Sequence, residues 1–488
     1  MKQGRDIVDY EPVTRSRTAW ASDPLAEDWL PRSSGWHETE ELAGETSQTE
    51  IEDAPRLLKR TAESATRPET LSEKAKKTWA SLKRGHMLAF LGLFLFTIAV
   101  YFRPYEFSPS LAWTMNAPYW LALFTLGVYF PKQFMLEGNL TARPLEVNLI
   151  LLLSVIALVA MPISVSFSNS FAYFKDIYIK IVLMFIVMVN VLRTERRLKA
   201  FLFLALLVAV LMSMNALNDY LTGNSTVEGY RATTKIGAHG MFGNPDDMAL
   251  HLVMMLPIAV ALAFRTHNPV HKLMLAGCAV LMFSGILVSF SRGCFLGFVA
   301  MMGVLLFKLG RRQKPLVAVL FVLCILSFLV LAPGGFGTRI LSIYDHSLDP
   351  VGSATARSGL LMRSIVVSIR HPLLGVGIGN FPIVSIQDQV SHNAYTQVSA
   401  ELGVTALLVY MLFMLTPLRR LGRIERETYA DRSHSRFHYL AIGLQASLVA
   451  YIVASFFYSV AFNWNIYYLV GYAICVQRLY EGGRKETG

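Results

Sequence analysis

His392 and Asn393 close a long polar stretch, and the mostly apolar run 394–415 follows them. That order places a titratable imidazole on the first turn of a helix, at a membrane–water boundary. A histidine there can serve as a base near neutral pH. It can equally be a helix cap or interface residue, with Asn393 the better cap. Helical spacing brings His392, Tyr395, Thr396 and Ser399 toward one face. Two earlier arginines, Arg292 and Arg357, fall on the same side of the membrane when the apolar spans are counted. A base beside guanidiniums suggests chemistry on an anionic, lipid-anchored substrate.

Each arginine has two readings. Arg292 lies in Ser291-Arg292-Gly293, a turn between two apolar runs. It either snorkels to phospholipid headgroups or faces a polar cavity, where its planar fork suits bidentate phosphate contacts. Arg357 begins an amphipathic helix over 355–370, with Leu360, Leu361, Ile365, Val366 and Ile369 as its apolar residues. Arg363 and Arg370 share a face of that helix and read as interface anchors. Arg357 is rotated about 120° from Arg363 and can point into a cavity.

His371-Pro372 ends this helix, and Gly375, Gly377 and Gly379 alternate before Asn380 and Phe381. Such glycines permit a tight turn, or a nest of N–H groups for an anion. A nucleotide-binding fingerprint fits poorly, since no strand leads in and no helix opens with the glycines. Loop 217–246 holds Arg231, Lys235 and His239 before Asn244-Pro245-Asp246-Asp247. That last group reads as a capped helix start, in preference to a divalent-cation site.

The elements that must position these residues are apolar spans. Hydrophobic residues make up 53% of the chain and charged ones 16%, with mean hydropathy +0.43. A soluble domain of 488 residues would carry more charge. Hydropathy places spans near 86–102, 118–134, 145–162, 176–192, 198–216, 247–264, 272–290, 293–309, 315–332, 393–417, 438–458 and 464–479. The expectation is an all-α, polytopic transmembrane helical bundle of about 12 spans, with a large periplasmic loop at 333–392 containing the amphipathic helix.

Residues 86–488 form the membrane domain, and 1–85 a polar, mostly disordered cytoplasmic tail. The end of the tail, 70–84, reads as a basic amphipathic surface helix or a plain solvated segment. Residues 1–20 lack an apolar core, so no cleavable signal peptide is expected. The net charge of +11 gathers between spans, which argues for cytoplasmic loops and against nucleic acid as a partner. Basic clusters at 193–199, 308–314 and 419–436 then place both termini in the cytoplasm. Cys278, Cys294, Cys324 and Cys475 have no motif spacing and read as small core residues.

Taken together, several motifs resemble the O-antigen ligase family. They are the Ser291-Arg292-Gly293 turn, Arg357, His371-Pro372-Leu-Leu-Gly375-Val-Gly377-Ile-Gly379-Asn380-Phe381, His392-Asn393 and Glu401-Leu-Gly403. That family includes lipopolysaccharide O-antigen ligases, Wzy-type polysaccharide polymerases and bacterial protein O-oligosaccharyltransferases. The resemblance covers about 200–410, most specifically 355–406.

It implies a multi-pass inner-membrane enzyme with a periplasmic active site. Such an enzyme moves a glycan from an undecaprenyl-diphosphate carrier to a glycan, lipid or protein acceptor. It needs no cofactor, nucleotide sugar or essential metal. His392 takes the place of the family's histidine, and Arg357 and Arg292 those of its arginines. Arg231 is a further candidate for diphosphate, and Asn393, Tyr395, Gly375, Gly377 and Asn380 are supporting residues.

Two departures bear on subtype. Gly403-Val404-Thr405-Ala406 stands where the family often has Gly-x-x-Gly, and Leu361 stands where a tryptophan is common. The rival from another class is a transporter or flippase of lipid-linked sugars, which would hold the diphosphate without cleaving a bond. No internal repeat supports it. A non-catalytic assembly scaffold is a third possibility, suggested by the tail alone.

Overall fold

The computed structural model describes residues 85–106, 109–224, 227, 230–236, 242–331, 353–432 and 435–487. Residues 1–84 of the tail, with its amphipathic segment 70–84, His239, and 332–352 of the long loop lie outside the described residues. Those described belong to the compact unit Ser72–Gly488. They are helical, with no strand among them; one isolated bridge joins Val227 and Arg231.

Helices follow where the sequence offers long apolar runs. α1 is Met87–Phe102, α2 Ala117–Glu137, α3 Leu145–Ala160, α4 Phe167–Tyr173 and α5 Ile179–Val191. α6 is Glu195–Leu221, α7 Pro245–Arg265, α8 Pro269–Val288 and α9 Arg292–Leu331. After the undescribed loop come α10 (Ser353–Arg370), α11 (Phe381–Val384) and α12 (Ala394–Leu402). α13 (Val404–Glu427), α14 (His438–Ala454) and α15 (Trp464–Thr487) complete the chain.

Among the described residues, eight helical segments are long and apolar enough to cross a membrane. They begin at Met87, Leu145, Glu195, Pro245, Pro269, Arg292, Val404 and His438. The hydropathy windows expected over 118–134, 176–192 and 464–479 also fall on helices, though not on segments of this kind. The windows at 293–309 and 315–332 merge into α9, a helix of 40 residues that runs through Pro315.

The expected span at 393–417 is interrupted. Gly403 adopts φ +90, which separates the nine-residue α12 from α13. A Cβ on Gly403 would lie 2.3 Å from the Leu373 carbonyl oxygen, and Val404 N–H donates to the Pro372 carbonyl at 2.7 Å. Hydropathy cannot register a break enforced by a neighbouring loop. At 1.5 Å per residue α12 is about 13 Å long, too short to span a bilayer.

α14 organises the centre of the bundle. Its face against α7 is opened by Gly443, where an added Cβ would meet Ala261 at 2.7 Å and the Pro257 carbonyl at 3.0 Å. Against α9 the small residue is Gly297, where a Cβ would lie 2.9 Å from the Ala450 carbonyl. Small residues let helix backbones approach closely where lipid cannot drive helices together. α7 is consequently central, with 78% of its most apolar window buried, while α8 at 28% faces outward. Holding α7 and α9 against α14 brings their N-terminal ends together near 455–459.

Candidate active site

Three helix starts build the site. At α7, Asn244 caps the helix by accepting the Asp246 N–H at 3.0 Å, and Pro245 occupies the first turn. The capped start expected from the sequence is therefore present. The Asp246 carboxylate also bridges two arginines. Its Oδ1 accepts from Arg231 Nη2 at 2.6 Å, and its Oδ2 from Arg357 Nη2 at 3.4 Å. Both oxygens face guanidiniums, which disfavours the divalent-cation alternative for this pair.

At α9, Ser291 precedes the helix and Arg292 is its first residue, so the turn proper is Ser289–Ser291. The Ser291 hydroxyl hydrogen-bonds the Tyr458 hydroxyl, which also accepts from the Cys294 N–H at 3.1 Å. The Cys294 thiol lies 3.7 Å from the Asp246 carbonyl oxygen, joining the first turns of α7 and α9. Gly293 leaves room for Tyr458, since a Cβ there would fall 2.6 Å from its hydroxyl.

At α12, the Asn393 side chain accepts from the Tyr395 and Thr396 N–H groups, both at 2.9 Å. Ser391 Oγ shares a hydrogen bond with Ser459 Oγ at 3.1 Å, which ties the approach to α12 to the segment after α14. The Tyr395 hydroxyl donates to the Ile452 carbonyl at 2.5 Å. Three helix N-termini thus gather beside arginines, and each adds partial positive charge.

His392 stands immediately before the Asn393 cap, half-buried, with φ 51. The left-handed region costs a non-glycine residue roughly 1–2 kcal/mol. Phe290, just before Ser291 and Arg292, also has a positive φ of 53. Such conformations persist where surrounding structure enforces them, and they cluster at functional sites. Burial, and secondarily the Arg357 guanidinium, hold the His392 imidazole below its ordinary pKa, against a smaller opposing pull from Asp246. The neutral base form is favoured, and the imidazole shares a field with Arg357 and Asp246.

The arginines differ in what they can offer a ligand. Arg357 retains 31% side-chain exposure. Arg292 is half-buried at the start of α9. Arg231 is 4% exposed, and its Nε donates to the Ser289 carbonyl at 2.9 Å. Its geometry is that of a strut that fixes Asp246 and the turn before α9. Removing one partner of a buried ion pair typically costs about 3–5 kcal/mol. Arg231→Met should therefore lower the thermal unfolding temperature in detergent strongly. Arg231→Met/Asp246→Leu should recover part of that loss, and a single variant that melts like the parent would contradict the strut.

The glycine loop forms the tight turn that its spacing allows, packed on α12. Gly377 N–H donates to the Glu401 carbonyl at 2.9 Å, and Gly379 N–H to Glu401 Oε2 at 2.8 Å. A Cβ on Gly375 would lie 2.3 Å from the Glu401 carbonyl carbon. The Gly377 and Gly379 amides are thus engaged by the protein's own Glu401, at the far end of α12 from His392, and the Gly375 amide donates to the His371 carbonyl at 3.1 Å. Burial raises the Glu401 carboxyl to about 8, opposed by the Gly379 and Phe381 amides. Asn380 donates to the Ser166 carbonyl at 3.1 Å and to Ser170 Oγ at 3.0 Å, locking the loop onto α4. Gly375, Gly377 and Asn380 support α12, and through it the position of His392. Arg363, read as an interface anchor, donates to the Val384 carbonyl at 2.7 Å.

An apolar groove of about 790 Å³ opens next to the starts of α9 and α12. Leu296 and Val299 of α9, Tyr395, Met411 of α13, and Ile452 and Phe456 line it. Leu296 follows Arg292 by one helical turn, and Tyr395 follows His392 by three residues, so the groove leads away from the polar site. Sequence reasoning missed Asp246 as the shared counter-ion, and missed Tyr458. Asp246 carried a signal: arginines at an apolar boundary need a counter-charge, and an acidic pair stands close to Arg231 in the sequence. Tyr458 carried none.

No curated protein matches the chain. A family model does: residues 277–411, which contain Arg292, Arg357 and His392 but not Arg231, match the one described as O-Antigen ligase. Among its described residues the chain thus has eight helical segments long and apolar enough to cross a membrane, and over 277–411 it is similar to the O-antigen ligase family.

Proposed function

We propose that the protein transfers a glycan from an undecaprenyl-diphosphate carrier to an acceptor hydroxyl at the periplasmic face of the bacterial inner membrane. The observation that carries this reading is the grouping of His392, Arg357 and Asp246 beside the start of α9, next to an apolar groove. The groove suits a polyprenyl tail, while the sugar stays in water.

In the proposed step, the acceptor oxygen attacks the anomeric carbon of the donor sugar. The bond from that carbon to the diphosphate oxygen breaks, and its electron pair leaves with the diphosphate. His392 takes the acceptor proton. Arg292 and Arg357 stabilise the charge growing on the leaving group, more strongly in a water-poor setting. Arg231 acts through Asp246 as a positioning residue. Attack opposite the diphosphate inverts the anomeric configuration.

The test is incubation of the purified protein with undecaprenyl-diphosphate glycan and candidate acceptors: lipid A core, polysaccharide or protein. Glycan on an acceptor, together with released carrier diphosphate, is the expected product. Glycan moved across a vesicle membrane with its carrier bond intact would replace this reading with a transporter.

A further inference from the structure

The opposite end of the bundle holds a groove edged by basic residues. α7 runs from Asp246 to Arg265, about 28 Å at 1.5 Å per residue, close to a bilayer's hydrocarbon thickness. At the Arg265 end an apolar groove of about 630 Å³ lies between α6 and α8. Its apolar wall includes Leu202, Phe203, Leu206, Met274 and Leu275. Phe203 is 63% exposed and Met274 54%, so this wall faces the surroundings of the bundle.

One end of the groove is cationic. Lys199, Arg265, His271 and Arg436 line it, with Glu195 as the acid among them. Glu195 is already engaged by Lys199 at 3.3 Å and Arg436 at 3.0 Å. Arg265 makes no ion pair among the described residues and is half-buried. The balance is three permanent cations against one carboxylate, where an apolar channel begins.

We propose that this groove binds an anionic phospholipid of the bilayer. Its headgroup phosphate sits on Arg265, Lys199 and Arg436, and an acyl chain lies along Phe203, Leu206 and Met274. Basic pockets between membrane helices recognise anionic headgroups by this combination of charge and apolar contact. Lys199 and Arg436 reach the phosphate while still paired with Glu195, and Arg265 supplies the uncompensated charge. The site is independent of the reaction assigned to the other end.

Native mass spectrometry of the detergent-purified full chain tests this, with phosphatidylglycerol and phosphatidylcholine as probes. Phosphatidylglycerol should bind in preference. Arg265→Ala and Arg436→Ala should each weaken it roughly fivefold, from about 1 kcal/mol per basic residue near an anionic lipid. Arg423→Ala, an exposed arginine outside the groove, should leave binding unchanged, and all three variants should keep the parent's unfolding temperature in lipid-free detergent. Four results would overturn the proposal: equal binding of phosphatidylcholine, undiminished binding in Arg265→Ala/Arg436→Ala, displacement of the lipid by millimolar inorganic phosphate, or a co-purified mass of polyprenyl diphosphate in the groove.

Discussion

His392→Asn is expected to lower glycan transfer by roughly 10²–10⁴-fold, the usual contribution of a positioned general base. Asparagine is the informative choice because His392 sits at φ 51. Alanine there would combine loss of the imidazole with backbone strain, whereas asparagine tolerates the left-handed region. A His392→Asn protein should insert and unfold like the parent, so the loss can be assigned to the side chain. The pH profile separates two roles. If His392 takes the acceptor proton, the acid limb of kcat/KM belongs to it, and the residual activity of the variant should lack that limb. If the imidazole only orients the acceptor, activity falls while the limb remains. Full activity in a properly inserted variant would remove His392 from the mechanism.

The helices were legible because bilayer thickness fixes the length of an apolar run. Every hydropathy window expected to span lies on a helix, except where α12 gives way to α13. That break was hidden because it depends on Gly403 meeting the loop at Leu373, a contact between residues 30 apart in sequence. The site divides in the same way. Local signals worked: Asn244 and Asn393 cap helices as their positions predict. Long-range pairing did not show itself. Nothing in the chain says that one carboxylate, Asp246, pairs with both Arg231 and Arg357. The glycine loop follows the same rule: a tight turn with a close approach is legible in its alternating glycines, but the partner, Glu401, is not.

Arg357→Gln should lower transfer by roughly 10²–10³-fold, the scale found when a preorganised group that stabilises developing negative charge is lost. It should also shift the acid limb in a predictable direction. A nearby cation disfavours the imidazolium, so Arg357 holds the His392 pKa down. With the cation gone, that pKa rises, the imidazole protonates at higher pH, and the acid limb of kcat/KM moves up. Asp246→Asn should do the reverse. The carboxylate favours the imidazolium, so its loss lowers the His392 pKa and moves the limb down. Both shifts are smaller than the effect of burial, which is the largest cause of the depressed value and is common to all three proteins. The test is therefore the opposition of sign between two variants at residues 111 apart in sequence, 3.4 Å apart in space. Limbs that move the same way, or stay together, would show that His392 does not govern the profile. Asparagine at 246 can still accept from Arg357 through its amide oxygen, which keeps the guanidinium near the imidazole. The substitution also removes the charge that pairs with buried Arg231 at 2.6 Å, so Asp246→Asn should unfold at lower temperature than Arg357→Gln. That separation of stability from pH profile follows from burial: Arg231 is enclosed, whereas Arg357 keeps part of its surface open.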